Sequence, residues 1–166
     1  MDKTRCSWVS TDKCYQEYHD KTWGRAVTDS KELFAKLCLE GQQAGLSCIT
    51  ILKKQASYEE DIFNFDPRKI STLTEKDVEY LMRNAGIVRN RLKIQSIIKN
   101  AKAYLRIEAT GSSFSDYIWQ LVDGKTVNNP WLTKENVPSS TEQSDSMAKD
   151  LKKQGAFSRH NNLLAC

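Results

Sequence analysis

The chain has 166 residues and a mass of 19.0 kDa, the size of a single domain. Hydrophobic residues make up 39% and charged residues 28%, a globular composition that excludes a disordered or collagen-like chain. Lysine and arginine total 25 against 21 acidic residues, a formal net charge of +4, which permits a polyanionic partner without demanding one.

The first 27 residues are expected to be irregular and rich in aromatic side chains. A helix then begins at Asp29-x-x-Glu32, a pattern similar to a capping box, and apolar residues follow it at helical spacing. Because Glu40 comes three residues after Leu37, it falls on the apolar face of this helix. A second helix is predicted from Ser47 to about residue 55.

Later helices follow the same kinds of signals. Ser57-x-x-Glu60 is expected to cap a third helix, which ends at Asp66-Pro67, and Thr74-x-x-Asp77 opens a fourth. Further helices are predicted over 91–106, 114–122 and 141–154, with a loop over 123–140. Since no alternating strand pattern is present, we expect an all-α fold, a compact helical domain.

Compartment is indicated by features the sequence lacks. The longest apolar runs are far shorter than the roughly 20 residues that span a bilayer, and residues 1–5 do not resemble a signal peptide. Five cysteines, an odd number, argue against a disulfide framework. We therefore expect a cytoplasmic protein with no membrane partner.

A glycine turn between two helices is the first candidate functional element. Gly86 follows the fourth helix, and a glycine there can adopt a positive φ and let the backbone approach a ligand. Arg89, Arg91 and Lys93 surround the turn, and the next helix begins beside it. The pattern is typical of a helix-hairpin-helix phosphate clamp, and equally of a plain helical hairpin with a basic rim.

Two further groups of residues are candidates for metal binding or catalysis. Cys6 and His19 are both zinc-binding types, although two more ligands would be needed; alternatively they are a buried cysteine and a surface histidine. Glu40 is a carboxylate at a core-facing position, and burial of a carboxylate costs free energy unless it has a partner. Aromatic side chains that would line a pocket beside it, or form a small aromatic core, are Trp8, Tyr15, Tyr18 and Trp23.

These residues lie in segments that resemble the DNA-3-methyladenine glycosylase I family of the helix-hairpin-helix superfamily. The similar segments are CSWV at 6–9, YHD at 18–20, CLEGQQAGLS at 38–47, the hairpin region over 84–105 and a late segment over 138–155.

The resemblance implies a monofunctional base-excision repair enzyme. It would bind alkylated double-stranded DNA as a monomer, flip out 3-methyladenine and hydrolyse its N-glycosidic bond. Glu40 matches the family's key acid and Tyr18 a stacking partner. The other implied roles are pocket aromatics for Trp8, Tyr15 and Trp23, phosphate binding for Gly86, Arg89, Arg91 and Lys93, and two of four ligands to a structural zinc for Cys6 and His19.

The sequence departs from the family in two places. At Cys48 the family usually has a tryptophan that stacks on the base, so we expect activity weakened by about 10- to 100-fold. Residues 156–166 form a tail that does not resemble the family, so the glycosylase domain, 1–155, is expected to be incomplete at its C-terminal end. This tail suggests a frameshift of the coding sequence near Gly155.

This altered tail bears on the expected zinc site and on function. The two missing ligands predict an incomplete zinc site and a destabilised, metal-free protein, unless His160 and Cys166 substitute. Two rival functions remain open at this point. One is a catalytically impaired DNA-binding remnant of the family, and the other is a helical interaction module that binds no nucleic acid.

Overall fold

A computed structural model describes residues 4–156 and confirms the all-α prediction, with no strand in that part of the chain. Residues 157–166, which make up nearly all of the predicted tail, lie outside it. Within residues 4–156 no helix is long and apolar enough to cross a bilayer. The α-helices are α1 (Lys13–Lys21), α2 (Ser30–Gln43), α3 (Cys48–Asp61), α4 (Pro67–Ile70), α5 (Glu75–Leu81), α6 (Arg91–Ala109), α7 (Phe114–Gln120) and α8 (Glu142–Lys153), with short 3₁₀ turns at Phe63–Phe65 and Lys134–Asn136.

Helix α6 is the centre of the core, and α2, α4, α5 and α7 pack against it. Its predicted apolar stripe is buried at Ile94, Ile97, Ile98 and Ala101, while Leu105 is only half-buried. Burying such a stripe is the main stabilising contribution available to a helical domain. Helix α2, which carries Glu40, is therefore fixed against the longest helix of the described chain.

Side-chain caps begin several helices where the sequence predicts them. The Asp29 carboxylate accepts a hydrogen bond from the Glu32 amide at 2.8 Å, and the Asp77 carboxylate accepts one from the Thr74 amide at 2.7 Å. Each cap satisfies a backbone group that the helix end leaves without an intrahelical partner. Both predicted starts are confirmed.

Two predicted elements are wrong. Residues 13–21 form helix α1, where the Asp12 carboxylate accepts from the Cys14 amide at 2.9 Å, although an irregular segment was expected. Ser57 does not cap a third helix, because α3 continues to Asp61. Ile51 and Tyr58, seven residues apart, are both buried on one face of α3, so packing carries the helix through the polar motif.

A left-handed turn connects α3 to α4. Phe63, Asn64 and Phe65 all have φ between 50° and 53°, a conformation that costs an L-residue about 1–2 kcal/mol. Phe65 is buried in the core while Phe63 is exposed. The turn is followed by Asp66, whose carboxylate caps α4 by accepting from the Arg68 amide at 2.9 Å. Burial of Phe65 holds this turn in place.

Candidate active site

A cavity of about 500 Å³ lies between α2 and α3 and is bordered on other sides by α1 and the left-handed turn. Three of the residues predicted to bind or act on a base line it together: Tyr18, Glu40 and Cys48. Apolar and polar side chains complete the wall, among them Ala35, Leu39, Ile51, Leu52, Gln43, Gln55, Asn64 and Phe65. A partly apolar cavity with a few polar groups is the usual form of a small-molecule site.

Glu40 provides the carboxylate of this cavity. It lies in the last turn of α2, and its Oε2 atom is shielded from solvent. A carboxylate held away from bulk water interacts strongly with a cation or an N–H donor that enters the cavity. This geometry favours an electron-poor, hydrogen-bonding ligand.

Tyr18 and Cys48 give the cavity its two candidate contact surfaces for a flat ring. Tyr18 comes from α1, the helix that the sequence analysis missed. Cys48 is the first residue of α3, directly after the N-cap Ser47, and its side chain is smaller than an aromatic ring. The lining carries mixed charge, with lysines 31 and 36 together with acidic residues 29, 32 and 59. Tyr18 therefore gives the cavity an aromatic surface, whereas position 48 gives it a small side chain.

Trp8, Tyr15 and Trp23 are not among the described residues that line this cavity. They form an aromatic cluster instead, in which Trp8 and Trp23 contact His19 and Tyr15 contacts Trp8. The Trp8 ring centroid lies 5.0 Å from that of Tyr15 and 5.4 Å from that of Trp23. The His19 and Trp23 rings are stacked at 5.4 Å with an interplanar angle of 14°. The structure thus gathers the predicted pocket residues into two neighbouring groups.

The candidate zinc ligands Cys6 and His19 lie next to each other. The Cys6 amide donates to His19 Nε2 at 3.4 Å, and His19 Nδ1 lies 3.0 Å from Asp20 Oδ1. Arg5 in turn holds Asp20 through Nε and Nη2, at 3.1 and 2.8 Å. An imidazole oriented by a carboxylate is the usual arrangement at zinc sites, so the His19–Asp20 contact fits that of a zinc ligand. Among residues 4–156, no cluster of three or more metal-binding side chains is found.

Helices α5 and α6 and the turn at Gly86 form the predicted hairpin. Gly86 does not have a positive φ, so the expected reason for a glycine is wrong. A Cβ atom there would lie 2.8 Å from Ser57 Oγ, and the glycine is needed for this close approach to α3. Lys54 of α3 donates to the Ala85 carbonyl at 2.8 Å, and the Gly86 amide donates to Asn84 Oδ1 at 2.7 Å. The turn is thereby fixed to α3.

The basic residues of the hairpin have different surroundings. Arg89 is exposed, whereas Arg91 forms ion pairs with Glu75 and Glu79 of α5. The Lys93 ammonium donates to the carbonyls of Gln42 and Ala44 at 2.7 and 2.6 Å, at the end of α2. Of these three basic residues, Arg89 is therefore the most exposed to an external phosphate.

Two buried polar residues with a place in this site were missed by sequence reasoning. Gln42 and Tyr58 are both 0% exposed, and the Tyr58 hydroxyl donates to Gln42 Oε1 at 3.1 Å. Burial raises the pKa of Tyr58 to about 12, so the phenol is neutral. The available signal was a glutamine at a core-facing position of α2, because a buried amide requires partners.

Comparison with known proteins agrees with this geometry. The sequence model of the methyladenine glycosylase family matches residues 8–158. The DNA-3-methyladenine glycosylase of Haemophilus influenzae is 50% identical over 152 residues, covering 92% of this chain and 82% of that protein. A crystal structure of a 3-methyladenine DNA glycosylase I superposes with a TM-score of 0.91 at 47% identity, covering 97% of this chain and 88% of the other. A variant of such an enzyme in complex with 3-methyladenine gives a TM-score of 0.89 at 35% identity, with coverage of 96% and 86%.

Proposed function

The chain belongs to the methyladenine glycosylase family, and on that premise we propose that it releases 3-methyladenine from DNA by hydrolysis of the N-glycosidic bond. The observation that carries the proposal is the cavity in which Glu40 and Tyr18 meet. A base can reach such a cavity only after it has been flipped out of the duplex.

Charge explains why this cavity favours the methylated base. As part of a nucleotide, N3-methylated adenine is positively charged, and the electron-rich Tyr18 face attracts a cationic ring. The shielded carboxylate of Glu40 accepts a hydrogen bond from the base edge and adds a further attraction for the cation. An unmodified neutral adenine gains less from either group, so the cavity discriminates by charge as well as shape.

The same groups act on the reaction. The positively charged base is a good leaving group, so bond cleavage requires less help than for a neutral base. As the bond breaks, positive charge passes to the sugar, and the Glu40 carboxylate stabilises that charge electrostatically. Stacking on Tyr18 keeps the plane of the departing base fixed. Glu40 is thus the catalytic residue of the proposed mechanism.

The hairpin is proposed to bind the phosphates of alkylated double-stranded DNA. Its support is the turn at Gly86, fixed against α3, together with the exposed Arg89. A helix N-terminus and basic side chains attract phosphate oxygens without reading sequence. Arg91 and Lys93 contribute positive charge while their own contacts orient the start of α6.

We propose that Cys6 and His19 are two donors of a structural zinc site, with Asp20 orienting the imidazole. Zinc would supply folding free energy there and no step of the reaction. Two donors do not make a four-coordinate site, so we expect purified protein to contain less than one zinc per chain. Elemental analysis tests this, and His19→Ala should lower the zinc content further, because it removes one of the two donors.

Monomeric action in the cytoplasm is part of the proposal. Its support is that the cavity and the hairpin belong to one chain, and that no disulfide links the four cysteines found among residues 4–156. Size-exclusion chromatography with light scattering measures the mass directly.

Cys48 favours a second candidate function, a DNA-binding remnant with impaired catalysis, because it leaves one cavity wall without an aromatic face. Release of free 3-methyladenine from methylated duplex DNA, with Glu40→Ala as the control, separates the two. Release that disappears in the control supports the glycosylase. A folded chain that binds duplex DNA and releases nothing supports the remnant.

A further inference from the structure

A reciprocal pair of hydrogen bonds joins the end of α2 to the start of α6. The Gln42 side-chain amide donates to the Lys93 carbonyl at 2.9 Å, and the Lys93 ammonium donates to the Gln42 carbonyl at 2.7 Å. Each side chain therefore binds the backbone of the other residue, across 51 positions of sequence. We call Gln42, Tyr58 and Lys93 the clamp.

Tyr58 extends the clamp to the hairpin turn. Its hydroxyl donates to Gln42 Oε1 at 3.1 Å and accepts from the Val88 amide at 3.0 Å. Val88 lies two residues after Gly86, within the turn that is proposed to bind phosphate. A single buried hydroxyl thus connects a residue of α2 with the backbone of the hairpin.

The position of Gln42 on α2 connects the clamp with the cavity. Gln42 and Glu40 are two residues apart on α2, which places their side chains about 200° apart around the helix axis. Glu40 faces the cavity, while Gln42 is 0% exposed on the side toward α6. One short segment of α2 therefore holds the catalytic carboxylate and the contact to the hairpin.

We propose that Gln42 is a positioning residue that sets the distance between the phosphate-binding hairpin and the base cavity. A flipped nucleotide has its phosphates on the hairpin and its base beside Glu40, so this distance decides whether the bond to be cut reaches the carboxylate. Displacement of about 1 Å from a reactive geometry costs on the order of 100-fold in rate. This inference rests on the proposed function.

Buried, satisfied polar groups are suited to such a role. The clamp bonds are directional, and an unsatisfied partner in the core is costly, so alternative positions of the hairpin are strongly disfavoured. Ser96 also donates to the Lys93 carbonyl at 2.6 Å, which leaves that carbonyl with a partner when Gln42 is replaced. Replacement of Gln42 therefore loosens the clamp while keeping this end of α6 satisfied.

The test compares Gln42→Met and Lys93→Met with the control Gln95→Met. Gln95 is on the same helix as Lys93, but its amide bonds to Glu75 at 3.3 Å on the outside of the hairpin. Single-turnover release of 3-methyladenine from methylated duplex measures the rate. Equilibrium titrations measure the affinities for free 3-methyladenine and for unmodified duplex.

We expect Gln42→Met to slow single-turnover release by about 10- to 100-fold while both affinities stay within about twofold of wild type, which is the signature of lost positioning. The double variant Gln42→Met/Lys93→Met should be no slower than the slower single variant, because the two residues act as one unit. Lys93→Arg should recover part of the rate lost in Lys93→Met.

Three outcomes overturn the inference. They are an unchanged release rate in folded Gln42→Met, a loss of free-base affinity that matches the loss of rate, and an equal loss in Gln95→Met. If the wild-type chain releases no base, the proposed function fails and hydrogen exchange decides the inference. Free 3-methyladenine should then slow hydrogen exchange of the backbone amides over 84–90 in wild type but not in Gln42→Met. If the ligand does not slow this exchange in wild type, the inference is overturned.

Discussion

Gly86 and Ser57 approach each other so closely that a Cβ atom on Gly86 would lie 2.8 Å from Ser57 Oγ and 2.9 Å from Ser57 Cβ. Helix α3 lines the base cavity on one face and meets the hairpin turn through Ser57. The spacing between the candidate DNA-binding element and the cavity is therefore set partly by the absence of one carbon atom.

Gly86→Ala is expected to destabilise the protein by about 1–3 kcal/mol, because the added methyl group forces the turn away from α3. Urea denaturation measures the change in the free energy of unfolding. The double variant Gly86→Ala/Ser57→Gly removes both close atoms of Ser57 and should recover part of the loss. Equal stabilities of Gly86→Ala and wild type would show that the turn moves at no cost.

Glu40→Gln is expected to reduce release of 3-methyladenine by about 10²- to 10³-fold, because the amide keeps the shape of the side chain but not its negative charge. Affinity for unmodified duplex should not change, since the hairpin is untouched. Glu60→Gln, at an exposed position on the other cavity-lining helix, α3, serves as the matched control. Normal release by Glu40→Gln would remove the carboxylate from the mechanism.

Much of the fold follows from local sequence signals. Asp29 and Thr74 begin helices because their side-chain oxygens and the acids three residues later belong to well-defined cap patterns. Ser57-x-x-Glu60 has the same pattern but lies inside α3, where burial of Tyr58 outweighs the cap. A cap motif predicts a helix start only where no apolar stripe continues through it.

The candidate site was predictable in its composition and less so in its arrangement. Tyr18, Glu40 and Cys48 meet as expected, but the rings of Trp8 and Trp23 pack with His19 away from the described cavity wall. Lys93 bonds to backbone carbonyls that are distant in sequence. Spacing along a helix indicates which face a residue occupies, whereas the partner on that face depends on tertiary packing.

Stability at alkaline pH is expected to depend on buried tyrosines. Burial raises the pKa of Tyr58 to about 12 from an ordinary value of 10.0, so folding favours the neutral phenol. The stabilisation is complete below about pH 10 and is lost as the pH rises through 12. Tyr58→Phe should therefore be less stable than wild type at pH 8 and lose less stability between pH 10 and 12. Chemical denaturation at several pH values measures both.

Tyr80→Phe is the matched control for that pH dependence, because the Tyr80 side chain is 74% exposed. Tyr104, whose pKa burial also raises to about 12, should behave like Tyr58 when it is replaced by phenylalanine. A steeper loss of stability for Tyr58→Phe than for wild type above pH 10 would contradict the assignment.

Cys48→Trp is expected to raise release of 3-methyladenine by about 10- to 100-fold, because stacking of a base on an aromatic side chain is worth about 1–3 kcal/mol. Cys48 lines the cavity together with Tyr18, so an indole there would supply a second aromatic surface. Cys48→Leu adds apolar volume without an aromatic face and separates stacking from simple filling of space. Single-turnover release by the three proteins, each checked for cooperative unfolding, makes the comparison. A tryptophan variant no faster than the leucine variant would mean that the cavity holds its base without stacking at position 48.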